Sequence, residues 1–149
     1  MRAKHMRVAL LCAAATAGAG VASASAETAT IEMLNKKGDE RFVYSAPLVR
    51  VEPGDTLRIA ATDKGHNAVS IDGMLPAGAE PINVPFNKDG EITLTEPGVY
   101  GIKCTPHVGL GMVALVVVGD PANLDAAADA ADKLPPKAKK RMSELFSQL

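Results

Sequence analysis

The chain has 149 residues, 47% of them apolar, with 16 basic against 17 acidic side chains, two cysteines and no tryptophan. Without a basic surplus it lacks the surface that general nucleic-acid binding needs. Its length suits one domain large enough to bury a core without disulfide staples.

Residues 1–26 read as an export signal. Arg2, Lys4 and Arg7 form a positive start, Val8 to Ala19 an apolar run, and Ala24-Ser25-Ala26 the small residues for cleavage. The run is shorter than the roughly 20 residues of a spanning helix, and glycines interrupt it. A mature chain starting near Glu27 loses three basic residues and no acidic one. That leaves 13 basic against 17 acidic, a formal net charge of −4, and Cys104 as the single thiol. No internal disulfide can then form. A lone exported thiol is buried and inert, reactive, or held by a metal.

From Thr28 to Gly119 short β-type runs alternate with turn signals, the pattern of an all-β sandwich or barrel. Predicted strands are Ala29 to Leu34, Leu48 to Glu52, Thr56 to Ala61, Asn67 to Ile71, Glu91 to Thr95, Gly98 to Lys103 and Met112 to Val118. Turns are expected at Asn35 to Asp39, Pro53-Gly54-Asp55, Asp63-Lys64-Gly65, Lys88-Asp89-Gly90 and Pro97-Gly98. Leu57, Ile59 and Ala61 alternate with more polar neighbours, as do Ile92 and Leu94, so these strands have one wet face. Val113 to Val118 is apolar on both faces and needs a cover. The tail supplies one: Asn123 caps a predicted helix through Leu124 to Lys133, and Pro135-Pro136 breaks it. A second helix then carries Met142, Leu145, Phe146 and Leu149 on one stripe. Unpacked helices this short are marginal in water, so both are expected to dock on the sandwich.

Cys104, His107 and Met112 fall within nine positions, in a loop between two predicted strands, and His66 follows an earlier turn. A thiolate and two imidazoles in a near-trigonal set, with a weak axial thioether, suit both oxidation states of copper. Zinc would accept the cysteine and histidines but gains little from a thioether. Taken singly each residue is weak evidence, and Met33, Met74 and Met142 read as packing residues. Together they use every mature histidine and the only mature cysteine. A Cys104 nucleophile with His107 as base lacks an orienting acid and leaves His66 and Met112 unexplained, so an enzyme is not expected. A copper storage or delivery protein is the alternative, although such proteins expose several exchangeable thiols or methionines.

Lys64-Gly65-His66-Asn67 and Val99 to Met112, with Met33-Leu34-Asn35-Lys36, Pro53-Gly54-Asp55 and Gly119 to Leu124, closely resemble the pseudoazurins, small periplasmic cupredoxins. Plastocyanins share the Cys-x-x-His-x4-Met spacing but end with the last strand. Azurins space Cys and His further apart and carry a disulfide. The resemblance implies a cupredoxin Greek-key sandwich of about eight strands plus two C-terminal helices, with one type 1 copper cycling Cu(II)/Cu(I) under the Cys104 to Met112 loop. It implies a periplasmic, monomeric one-electron carrier that binds neither membrane nor nucleic acid. A copper nitrite reductase or another respiratory enzyme would be the acceptor, and a cytochrome or other redox protein the donor.

Around such a site Asn67, Thr105 and Pro106 are expected as supports. Pro106 lacks an N–H, so the sulfur should receive one backbone hydrogen bond, from Asn67, whose side chain ties its loop to that of Cys104. Lys36, Lys37, Lys64 and Lys103 lie on or beside segments placed near the copper end and suit docking on an acidic partner. Pro106, Val108, Leu110 and Met112 flank His107, whose ring edge is expected to emerge through a small apolar patch.

Overall fold

A computed structural model describes residues 25–149. The export-signal reading falls on residues 1–26 and so lies almost wholly outside the described residues. Nine strands form two sheets: β1 (Thr28–Lys37), β2 (Glu40–Tyr44), β3 (Leu48–Val51), β4 (Thr56–Ala60), β5 (Ala68–Ser70), β6 (Asn83–Val84), β7 (Gly90–Thr93), β8 (Gly98–Lys103) and β9 (Val113–Val118). One sheet has the order β2-β1-β4-β7, the other β3-β9-β8-β5-β6. β1 runs parallel to β4, and β3 to β9. Between parallel partners the chain visits the opposite sheet, which produces the Greek-key weave of a cupredoxin sandwich.

Residues on alternate sides of β9 serve different cores. Ala114, Val116 and Val118 face the interior with Ile31, Met33, Leu57, Ile59, Tyr100 and Ile102. Val113, Leu115 and Val117 face outward and are covered by α1 (Leu124–Ala131) and α2 (Pro136–Phe146). The tail helices therefore dock, as the doubly apolar strand requires. Alanines at 127, 130, 131 and 138 let the helices lie close, and Met142 and Leu145 fill the gap above the sheet. A buried methionine or leucine contributes about 1.5–3 kcal/mol by leaving water. Gly101 on β8 serves the same outer layer: a Cβ there would come within 2.7 Å of the Met74 Cβ.

Several local expectations are corrected. Asn35 to Asp39 is not one turn: β1 continues to Lys37, Gly38 and Asp39 make the hairpin turn, and β2 returns over residues given no strand in the sequence reading. Asn67 precedes its strand, and α1 ends at Ala131. Asn123 stands at the start of α1 but makes no side-chain cap. Its amide instead accepts from the Val99 N–H at 2.8 Å and donates to the Val99 carbonyl at 3.0 Å, stitching the helix start to β8. Leu149 leaves the expected stripe and is exposed, while Ala138 takes the buried position.

Met142→Ala should lower unfolding free energy by about 2–5 kcal/mol, measured by urea denaturation. Leu149→Ala, as an exposed control, should change it by less than about 0.5 kcal/mol.

Candidate metal centre

β8 and β9 are antiparallel neighbours, so the loop between them must reverse within nine residues. It closes at its base, where the Cys104 N–H donates to the Met112 carbonyl at 3.0 Å. Inside, the His107 N–H donates to Cys104 O at 3.1 Å and the Met112 N–H to His107 O at 3.1 Å. A single 3-10 turn, Val108–Leu110, fills the span and ends at Gly111, whose φ of 89° is the left-handed conformation glycine adopts without strain. Cys104 continues the inward alternation of Tyr100 and Ile102 and is fully buried. His66 arrives from the β4–β5 connection. Asn87 braces that turn, donating its N–H to His66 O at 3.0 Å and accepting the Gly65 N–H on its side chain at 2.6 Å.

Three donor atoms converge. His66 Nδ1 and His107 Nδ1 are 3.2 Å apart, and the Cys104 Sγ lies 3.7 Å from the first and 3.5 Å from the second. A triangle with those edges has its centre about 2.0 Å from each corner, close to the length of a first-row metal–imidazole bond. Among the described residues no other group of three or more His, Cys, Asp or Glu side chains could hold a metal. Burial holds both imidazoles below their ordinary pKa, His66 further lowered by the neighbouring His107, so both favour the neutral form that a metal requires. Burial raises the Cys104 thiol, while backbone hydrogen bonds from Asn67 and His107 pull it down. Met112 is fully buried in the same cluster as Cys104.

The supports come from elements far away in sequence. Asn67 Nδ2 donates to Thr105 Oγ1 at 3.0 Å, and the Thr105 N–H donates to Asn67 Oδ1 at 2.8 Å, clasping the two ligand loops together. The Tyr44 hydroxyl donates to Asn67 O at 2.9 Å. His66 Nε2–H donates to Asn35 Oδ1 at 2.9 Å, which fixes the tautomer and leaves Nδ1 free toward the sulfur. Phe42 stacks on His107 with centroids 4.2 Å apart and planes within 5°. Asn35 and Phe42 were not singled out from the sequence. Both sit where the β1–β2 ladder skips a step, between the Leu34–Val43 and Lys36–Arg41 pairs. Phe42 has φ 53°, left-handed backbone that costs a bulky residue about 1–3 kcal/mol.

Comparison with known proteins agrees with this geometry. Residues 31–119 match the family model described as copper binding proteins, plastocyanin/azurin family. The chain is 46% identical to a pseudoazurin of Paracoccus pantotrophus over 94% of its own length and 96% of the relative's. The chain belongs to the pseudoazurin family. The pseudoazurin crystal structure from Methylobacterium extorquens AM1 superposes with a TM-score of 0.77 at 40% identity, covering 81% of this chain and 98% of that one. A native pseudoazurin from Hyphomicrobium denitrificans gives 0.74 at 36%, covering 82% and 98%. As a pseudoazurin, this chain is a blue-copper electron carrier and not an enzyme, and His66, Cys104, His107 and Met112 make up a typical type 1 donor set.

The surface around the pseudoazurin site is uneven. His107 is half-buried and alone among the four reaches the surface, beside exposed Pro106 and Leu110. Met112 does not join the apolar patch, because its side chain turns wholly inward. Val108 is half-buried and packs toward the helix-side core. Lys36, Lys37 and Lys64 are exposed; Lys103 is half-buried, and Lys37 Nζ donates to Ser45 O. Among the described residues no helix is long and apolar enough to cross a membrane.

Asn35→Leu should leave the fold intact but strand the His66 Nε2–H. Copper affinity, measured by chelator competition, should fall about 10–100-fold.

Proposed function

We propose that this chain works in the periplasm, passing single electrons from a cytochrome or similar donor to a copper nitrite reductase or another respiratory enzyme. The copper electron-carrier part of this reading is carried by the triangle of 3.2, 3.5 and 3.7 Å that the scaffold holds by itself; the compartment and partners are supported by family membership alone. Copper, when bound, supplies the one-electron Cu(II)/Cu(I) couple. Cys104 would give up its proton to hold the ion as the thiolate. His66, His107 and Met112 would complete the set of side chains that holds the ion. The loop bonds and the Asn67–Thr105 clasp keep these side chains from rearranging between oxidation states, which favours fast transfer. His66, Cys104 and Met112 are fully buried, an arrangement that suits retention of the ion and not its exchange with a recipient.

Docking would centre on the exposed edge of His107, with Leu110 and Val108 as the apolar contact. Lys36, Lys37, Lys64 and Lys103 would steer from the rim toward an acidic partner surface. Buried Asn67 would serve the site from behind this face, while Thr105 and Pro106 lie exposed beside His107. A small, lightly held contact matches a shuttle that must leave quickly.

The copper-loaded protein should be intensely blue and bleach reversibly with a reductant, and Cys104→Ser should remain colourless under the same loading. In stopped-flow measurements with a copper nitrite reductase, the association rate should fall steadily as ionic strength rises. A rate indifferent to salt would remove the steering role of the lysines.

A further inference from the structure

We propose that Arg141, on the tail helix α2, is a positioning residue for the axial ligand of the copper site. The proposal rests on the copper reading and adds to it a part of the chain that contributes no ligand. Arg141 Nη1 donates to the Gly111 carbonyl at 3.0 Å, and Nη2 pairs with the Glu40 carboxylate. The guanidinium is largely enclosed, its side chain only 19% exposed. Gly111 O belongs to the peptide plane that leads directly into Met112. The same oxygen also accepts from the Val113 N–H at 3.0 Å, so Arg141 is its second donor and holds the plane from the α2 side, and with it the direction in which the Met112 side chain departs.

Met112 has two other main-chain restraints, its N–H to His107 O and its carbonyl from the Cys104 N–H. Both lie inside the ligand loop and would move with it. Arg141 ties the loop to something outside. Its other partner, Glu40, lies on the hairpin that carries Phe42 and Asn35, the residues resting on His107 and His66. One side chain therefore links the axial end of the loop to the element that braces both histidines. α2 itself packs on the loop: a Cβ at Gly111 would lie 3.2 Å from Lys137 Cγ and 3.5 Å from its carbonyl oxygen.

Global stability gives little reason for such a contact. Glu40 is 61% exposed, and an ion pair at an open surface contributes about 0–1 kcal/mol. The forked guanidinium matters for its geometry, since its planar donors can meet a carbonyl and a carboxylate at once. In a type 1 site the axial ligand tunes the potential, so the place where its main chain is held bears on the function.

The test compares the full-length wild-type protein with Arg141→Ala and Arg141→Lys. Hydrogen exchange at the Gly111 and Met112 amides should quicken about tenfold or more in Arg141→Ala. In the copper-loaded protein the ratio of the two sulfur-to-copper absorption bands and the reduction potential should both shift. Arg141→Lys keeps the charge but cannot span both partners; it should fold well and move the same readouts in the same direction, by less. Unchanged exchange and an unchanged band ratio in both variants, with only a lower melting temperature, would overturn the proposal. A wild-type protein that stayed colourless with copper would instead sink the copper reading, while the exchange comparison would still decide whether Arg141 holds the loop.

Discussion

Two imidazole nitrogens and a sulfur held within 3.7 Å of one another, in a place sheltered from water, are the constraint on which the rest of this structure depends. Such atoms do not gather by hydrophobic collapse, since each would sooner find a hydrogen-bond partner in solvent. Each must be held by its neighbours. The Cys104 to Met112 bond closes one loop, Asn87 braces the other, and Asn67 and Thr105 join the two. Among the described residues no buried side-chain nitrogen or oxygen is left without a partner. The polar corner is therefore affordable inside an apolar sandwich.

The topology explains why the corner sits where it does. β8 and β9 are central in their sheet, buried on both faces, and their connection emerges at one end of the sandwich. The β1–β2 hairpin belongs to the other sheet but reaches the same end, placing Asn35 against His66 and Phe42 against His107. Each sheet thus supplies part of the site. The rigidity of the ligand set is a property of the whole sandwich, and the tail helices reinforce it from outside by covering β9 and by reaching Gly111 through Arg141.

Much of this was legible in the residues. The doubly apolar run Val113 to Val118 implied a cover, and the amphipathic tail implied what the cover is. Cys104, His107 and Met112 lie close enough in sequence for their spacing to carry meaning, and His66 stood out by its place after the Lys64-Gly65 turn and by the resemblance of Lys64-Gly65-His66-Asn67 to the family. What escaped reading was contact at long range. Arg141 lies 30 positions from Gly111 and 101 from Glu40. β2 was missed because the polar stretch Asn35 to Asp39 reads as a turn, and because Phe42 takes a backbone conformation that no propensity would assign to it. Asn123 looked like a helix cap because asparagine so often is one, yet its amide found a better pair of partners in the main chain of Val99.

The uneven exposure of the four donor residues has a consequence for specificity. Since His107 alone of the four is not fully buried, a visitor docking there as proposed would set the tunnelling distance by how near its own redox group comes to that ring, not by the fine fit of the surrounding faces. Visitors of unlike shape can then be served equally well, provided each brings its centre to the same doorway. Under the proposed docking, selection among them would fall to encounter frequency, which the exposed Lys36, Lys37 and Lys64 would bias while leaving the ion's immediate surroundings untouched.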